Sequence, residues 1–188
     1  MLKVFVPKER RAGETRVAAT PDTVKKLVKE NIEVLVETNA GAAASFLDKA
    51  YEAAGAKLVS DPREAWATSD IVLKVTEAAD NPELGKHEAD ALKQGAILVG
   101  LMSPHRNVDM VRRLVANKIS TLAMELVPRI TRAQSMDVLS SQANIAGYKA
   151  VLLAAANLPK YFPLLMTAAG TIQPARVVIM GAGVAGLQ

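Results

Sequence analysis

Apolar residues in this chain fall into short unbroken runs, and the stretches between them carry apolar positions at helical spacing. The runs LKVFVP, IEVLVET, KLVS, IVLKV, AILVGLM and STLAMEL each read as a strand. Their continuous apolar character suits strands covered on both faces. Between the first two, Thr20-Pro21-Asp22 opens a helix with Pro at its first position and Val24, Leu27 and Val28 on one face. LDKAYEAAGA reads as a second helix. Asp61 caps a third, with Glu64 three residues on. A helix is predicted over 86–94, ended by Gly95, and Asn107 caps VDMVRRLVANK. Alternation of strand and helix argues an α/β fold, a Rossmann-like doubly wound parallel sheet, over residues 1–137.

A different pattern follows. DVLSSQANIAGYKAVLLAAANLP is rich in Ala and Leu and is stopped by Pro159, so it predicts a helix of about five or six turns. YFPLLMTAAGTIQPA predicts a hairpin arm with a turn near Gly170. Phe162, Leu164, Leu165 and Met166 on that arm need a partner surface. Residues 138–175 are thus a connecting helix and arm. Residues 176–188 begin with the apolar run Arg176–Met180, read as the first strand of a second Rossmann domain.

Composition narrows the classes. Half of the 188 residues are hydrophobic and 22% are charged, an ordinary globular balance. There is no cysteine, which removes disulfides and thiolate metal sites and fits a reducing compartment. Neither His87 nor His105 has a ligand-spaced companion, so no metal site is expected. The net charge of +4 is spread over helix faces, and aromatics are 4% of the chain, so a nucleic-acid surface is not indicated. The longest apolar run, AVLLAAANL, is far short of the ~20 residues that cross a bilayer.

Two motifs carry candidate chemistry. After Arg176–Met180 comes Gly181-Ala-Gly183-Val-Ala-Gly186, a G-x-G-x-x-G. In such a loop the first glycine permits a tight turn. The second lets backbone approach a pyrophosphate, and the third lets helix and strand pack closely. The motif by itself is a weak signal, and the sequence stops at Gln188, before the acidic residue expected ~20 positions on. The other motif is ELVPRITRAQSMDVLSSQ, at the exit of the sixth strand. Arg129, Arg132, Gln134, Ser135, Asp137, Ser140, Ser141 and Gln142 crowd there, where open α/β sheets bind ligands. Asp137 as a plain helix N-cap accounts for one of these residues but not for Arg129 or Gln134.

PRITRAQSMDVLSSQ, followed by AAGTIQPARVVIMGAGVAGLQ, resembles the NAD(H)-binding component of proton-translocating nicotinamide nucleotide transhydrogenase, the soluble N-terminal portion of its alpha subunit. This family shares a superfamily with alanine dehydrogenase, and the resemblance covers essentially the whole chain. It implies that Arg129, Gln134 and Asp137 are the residues at the nicotinamide, with Ser140 beside them. Arg129, Asp137 and Ser140 would hold the carboxamide or its neighbourhood, and Gln134 would reach toward the second nucleotide. Gly181, Gly183 and Gly186 would lie under the NAD pyrophosphate. The cofactors implied are NAD(H) on this chain and NADP(H) on a partner component. The partners implied are a second copy in a homodimer and the membrane and NADP(H)-binding components, with the chain cytoplasmic and peripherally associated with the membrane. The family's proteins run about twice this length, so the chain is expected to be a fragment with weak or no affinity for NAD(H) by itself.

Direct hydride transfer needs orientation and close approach rather than a general acid, in keeping with a chain that has two histidines. Alanine dehydrogenase is the alternative. Its substrate Arg and Lys correspond to Arg16 and Lys74, but Met102 stands where its catalytic His lies, with His105 three residues later. The plain readings are an ion-paired strand-end Lys74, an Arg16 that pairs Glu14 or Asp22, and a surface His105. A third reading is a non-enzymatic interaction domain built on an old dehydrogenase half.

Overall fold

The computed structural model describes residues 1–188, which divide into two compact units, 1–127 and 128–188. The first unit holds six parallel strands: β1 (Lys3–Val6), β2 (Glu33–Glu37), β3 (Lys57–Val59), β4 (Ile71–Leu73), β5 (Ile97–Gly100) and β6 (Ser120–Ala123). Their spatial order is β3-β2-β1-β4-β5-β6. β1 sits at the centre, with Val4 opposite Val34 on one side and Ile71 on the other. All pairings are parallel, so every connection must cross a face of the sheet.

Side chains alternate along a strand, so the sheet feeds two cores, one on each face. Phe5, Leu35, Val72 and Leu98 pack with Trp66 of α3 (Pro62–Thr68) and with Met110 and Leu114 of α4 (Val108–Ala116). Val6, Val34 and Val36 pack with Val24 of α1 (Pro21–Lys29) and Tyr51 of α2 (Asp48–Ala53). Trp66 meets Phe5 edge to face, with ring centroids 5.7 Å apart. The caps at α1 and α3 follow the sequence. Thr20 Oγ1 accepts from Thr23 N at 3.3 Å, and Asp61 Oδ1 accepts from Arg63 N at 3.1 Å.

Three expectations need correction. No helix forms over 86–94. A hairpin of Asp80–Asn81 with Lys86–His87 replaces it, turned at Gly85 (φ +65°) and followed by a single 3₁₀ turn at Glu88–Asp90. Tertiary demand wins here, because the hairpin delivers Glu88 into the interior beside Lys74. Asn107 precedes α4 but does not cap it, since its side-chain amide donates to Met102 O at 2.9 Å. Residues 176–180 enter no ladder and leave Val177, Val178, Ile179 and Met180 exposed, so the strand expected there is not formed within this chain.

The second unit contains a 3₁₀ segment (Thr131–Met136), the twenty-residue helix α5 (Val138–Asn157), and an antiparallel arm of β7 (Leu165–Thr167) and β8 (Gly170–Ile172). It ends in the single-turn helix α6 (Val184–Leu187). The arm turns before Gly170, whose φ of +130° is open to glycine. Met166 and Leu164 on it are exposed. By contact, residues 128–137 group with the second unit. No helix of the chain is long and apolar enough to cross a membrane.

Candidate functional site: a polar loop at the start of the long helix

Asp137 is where the local chemistry concentrates. Its carboxylate accepts from Ser140 N at 2.9 Å and from the Ser140 hydroxyl at 2.6 Å. Its carbonyl accepts the Ser141 hydroxyl at 2.9 Å. These bonds satisfy orphan donors of the first turn of α5, as an N-cap does. The Ser140 hydroxyl, the Ser140 amide and the nearby Arg129 charge together hold the Asp137 carboxyl below the usual carboxylate range. The negative charge is therefore fixed in place and in orientation.

Upstream, the 3₁₀ segment is anchored by the buried methyl of Ala133, whose amide donates to Ile130 O at 2.9 Å. That anchor turns Arg129, Gln134 and Asp137 toward one pocket of about 380 Å³, shared with Pro128, Ile130 and Thr131. The side chains of Arg129 and Gln134 are exposed and form no hydrogen bond within the chain. A guanidinium, a primary amide and a carboxylate thus line one recess. Such a set can bind a carboxamide by donating to its oxygen and accepting from its nitrogen. Three of the residues expected to act together, Arg129, Gln134 and Asp137, share this pocket, and Ser140 supports it from behind.

The glycine motif has its own geometry. Gly181 has a φ of +120°, which a side chain would resist. Gly183 stands just before α6 with open space around its Cα, and Leu187 N donates to its carbonyl at 3.0 Å. Gly186 lies against the Gly181 carbonyl oxygen so closely that a Cβ has no room. The turn is closed on itself, with bare backbone outward at Gly183.

In the first unit a second polar cluster lies at the strand ends. Lys74 Nζ is 2.8 Å from Glu88 Oε2 and 3.5 Å from Glu9 Oε2, and all three side chains are buried. It also lies 5.9 Å from the centre of the Trp66 ring. Glu9 further accepts Val75 N at 2.6 Å and the Thr76 hydroxyl at 2.5 Å, and Glu88 accepts Asn81 Nδ2 at 3.1 Å. Sequence reasoning misses Glu88 and Glu9. A lysine on an apolar strand is the available signal, since a buried ammonium requires a carboxylate. Arg16 forks onto Glu14, with Nε to Oε1 at 2.7 Å and Nη2 to Oε2 at 2.6 Å. That hydrogen-bonded contact holds the Glu14 carboxyl below its ordinary range. Met102 is buried and His105 is exposed. The ion-paired reading of Lys74, the Glu14-paired reading of Arg16 and the surface reading of His105 therefore describe the molecule.

Residues 5–146 match the family model "Alanine dehydrogenase/PNT, N-terminal domain", and residues 150–188 match "Alanine dehydrogenase/PNT, C-terminal domain". Over its whole length the chain is 49% identical to the first of the polypeptides named NAD(P) transhydrogenase subunit alpha in Rhodospirillum rubrum, of which it spans 48%. It is 32% identical to the alanine dehydrogenase of Methanococcus maripaludis, covering 97% of this chain and 48% of that one. The crystal structure of transhydrogenase from Sinorhizobium meliloti superposes with a TM-score of 0.89 at 43% identity, over 98% of this chain and 53% of that chain. The chain spans between about a third and a half of the length of the curated relatives it matches. The chain therefore belongs to the alanine dehydrogenase/PNT family.

Proposed function

We propose that this chain works in the NAD(H)-binding component of a proton-translocating nicotinamide nucleotide transhydrogenase. In that enzyme hydride passes from NADH to NADP⁺ held on a separate component, and a membrane partner couples the transfer to proton movement. The observation that carries the reading is the shared pocket of Arg129, Gln134 and Asp137, in a chain 49% identical to a relative named as a transhydrogenase alpha subunit. Bound NADH supplies the hydride. Arg129 and Asp137 hold the carboxamide of its ring, and the Ser140 hydroxyl keeps the Asp137 carboxylate aimed. Gln134, unpaired at the pocket wall, is free to touch the incoming second nucleotide. Gly181, Gly183 and Gly186 give bare backbone to the pyrophosphate. No proton is exchanged in such a step, so the absence of a histidine from this pocket costs nothing. The chain would be cytoplasmic, peripheral to its membrane partner, and dimeric through the arm, whose Leu164 and Met166 are exposed.

An isotope experiment tests it. The native polypeptide is combined with the membrane and NADP(H)-binding components and given NADH deuterated at the transferred position. Deuterium is expected in NADPH, with none lost to water. NADH oxidation that instead requires pyruvate and ammonia would establish the alanine dehydrogenase reading. The closed Lys74–Glu88–Glu9 cluster opposes that alternative, because the lysine is already saturated by carboxylates.

A further inference from the structure

We infer that Gly147, in the middle of α5, is a positioning residue that seats the glycine turn, and that α5 thereby fixes the spacing between the two ends of the dinucleotide site. The inference rests on the transhydrogenase reading for its ligand but not for its geometry. α5 is rich in Ala and Leu, and Gly147 stands in its interior, where alanine is the better helix former. It is also the buried residue of that helix. The reason is a close approach. A Cβ at 147 would run into the carbonyl oxygen of Ala185 and sit 3.0 Å from Gln188 Cβ and 3.1 Å from the Ala185 carbonyl carbon. Backbone cannot move aside as a side-chain tip can. One turn earlier on the same face, Asn144 Nδ2 donates to Gln188 Oε1. The notch at Gly147 therefore receives the backbone of the 181–188 turn, and the Asn144 bond pins it.

The same helix is capped by Asp137, which lines the polar pocket. Gly147 lies ten residues beyond that cap, about 15 Å along the helix axis. A rigid helix thus carries the carboxamide-facing loop at its start and the glycine turn at its middle. Filling the notch would push the turn outward and leave the polar loop unmoved. Affinity for a ligand that must reach both would drop, with the chemistry at the polar loop intact.

The test is Gly147→Ala, with Asn144→Ala as a milder variant that loosens the same seat without adding an atom at 147. In ¹⁵N-labelled chain, the amide resonances of Gly181, Gly183 and Gly186 are expected to shift in both variants, more in Gly147→Ala, while helicity by circular dichroism holds or rises. In the native polypeptide, the Kd for NADH is expected to rise about tenfold in Gly147→Ala, with hydride transfer at saturating NADH within about twofold of wild type. Unmoved glycine resonances in both variants would overturn the inference, as would moved resonances with an unchanged Kd. If Gly147→Ala fails to fold, the Asn144→Ala shifts decide the seat. If the wild-type polypeptide binds no NADH, the transhydrogenase reading falls, and the seating of the turn still stands or falls on the amide shifts.

Discussion

Lys74 Nζ lies 2.8 Å from a Glu88 carboxylate oxygen, with both side chains closed off from solvent. Glu9 completes the cluster at 3.5 Å, so one ammonium serves two buried carboxylates. Removing Lys74 leaves two buried carboxylates without their cation, whereas removing Glu88 leaves the ammonium to Glu9 alone. Lys74→Met is expected to cost about 3–5 kcal/mol and Glu88→Ala about 1–3 kcal/mol, read from urea unfolding followed by the fluorescence of Trp66. The pair Lys74→Met with Glu88→Leu should recover part of that loss. A single substitution costing under about 1 kcal/mol would mean that water reaches the cluster.

Gln134 and Asp137 make the sharpest test of the pocket. Gln134→Asn shortens an exposed side chain, so thermal stability should be unchanged. Asp137→Asn keeps an acceptor for the Ser140 amide and loses the charge. Both are expected to slow hydride transfer by the native enzyme by about a hundredfold, the scale of an ångström of misplacement. Equal loss of stability and rate would make these residues structural.

The Asp137 carboxyl sits below its ordinary value of 3.8 because Ser140 bonds its charged form. A depressed acid contributes stability in full above the unfolded value and loses it as pH falls through the lower folded value. The Ser140 amide resonance should therefore titrate with a midpoint below 3.8, and Ser140→Ala should move the Asp137 midpoint up toward it. A wild-type midpoint at or above 3.8 would remove Ser140 as the cause.

Tyr51 behaves in the opposite sense. Its hydroxyl donates to Ala19 O at 2.9 Å, and burial, aided by the Asp48 charge, pushes its pKa up to about 12 from an ordinary 10.0. The folded value is the higher one, so this contribution is complete below pH 10 and is lost as pH climbs toward 12. Tyr51→Phe leaves the Ala19 carbonyl unpaired and should cost about 1–3 kcal/mol near neutrality. It should also flatten the fall of stability between pH 10 and 12 in alkaline unfolding curves.

Much of the fold is legible in the chain, for physical reasons that differ from place to place. The central strands can be read because they are covered on both faces and stay apolar, while the edge strands β3 and β6, partly exposed, show only short apolar runs. The N-caps at Thr20, Asp61 and Asp137 can be read because capping is local. Glu88 is hidden because its place is set by Lys74, fourteen residues away, and no local period encodes that bond. The turn signals Asn81-Pro82 and Gly85 are the available hint that 86–94 is not helical. Residues 176–180 have strand composition, but a ladder needs a neighbour, and none comes from this chain. Gly147 is equally hard to read. A glycine in a helix interior is a cost that a close contact explains, and the sequence does not show the contact.

The sheet order has a consequence for how the molecule is made. Lys3–Val6 leaves the ribosome before the other five strands, yet it belongs at the centre, and its second neighbour begins at Ile71. During synthesis it can pair early with β2 and must then wait for Ile71–Leu73 before its other edge is covered. For seconds at ordinary elongation rates an apolar, half-paired β1 is open to other nascent chains. Proteolytic trimming past Val6 would remove the central strand and leave β2 and β4 with a gap between them. Residues 3–6 are therefore the keel of the sheet, and trimming them would open it through the middle rather than fray its edge.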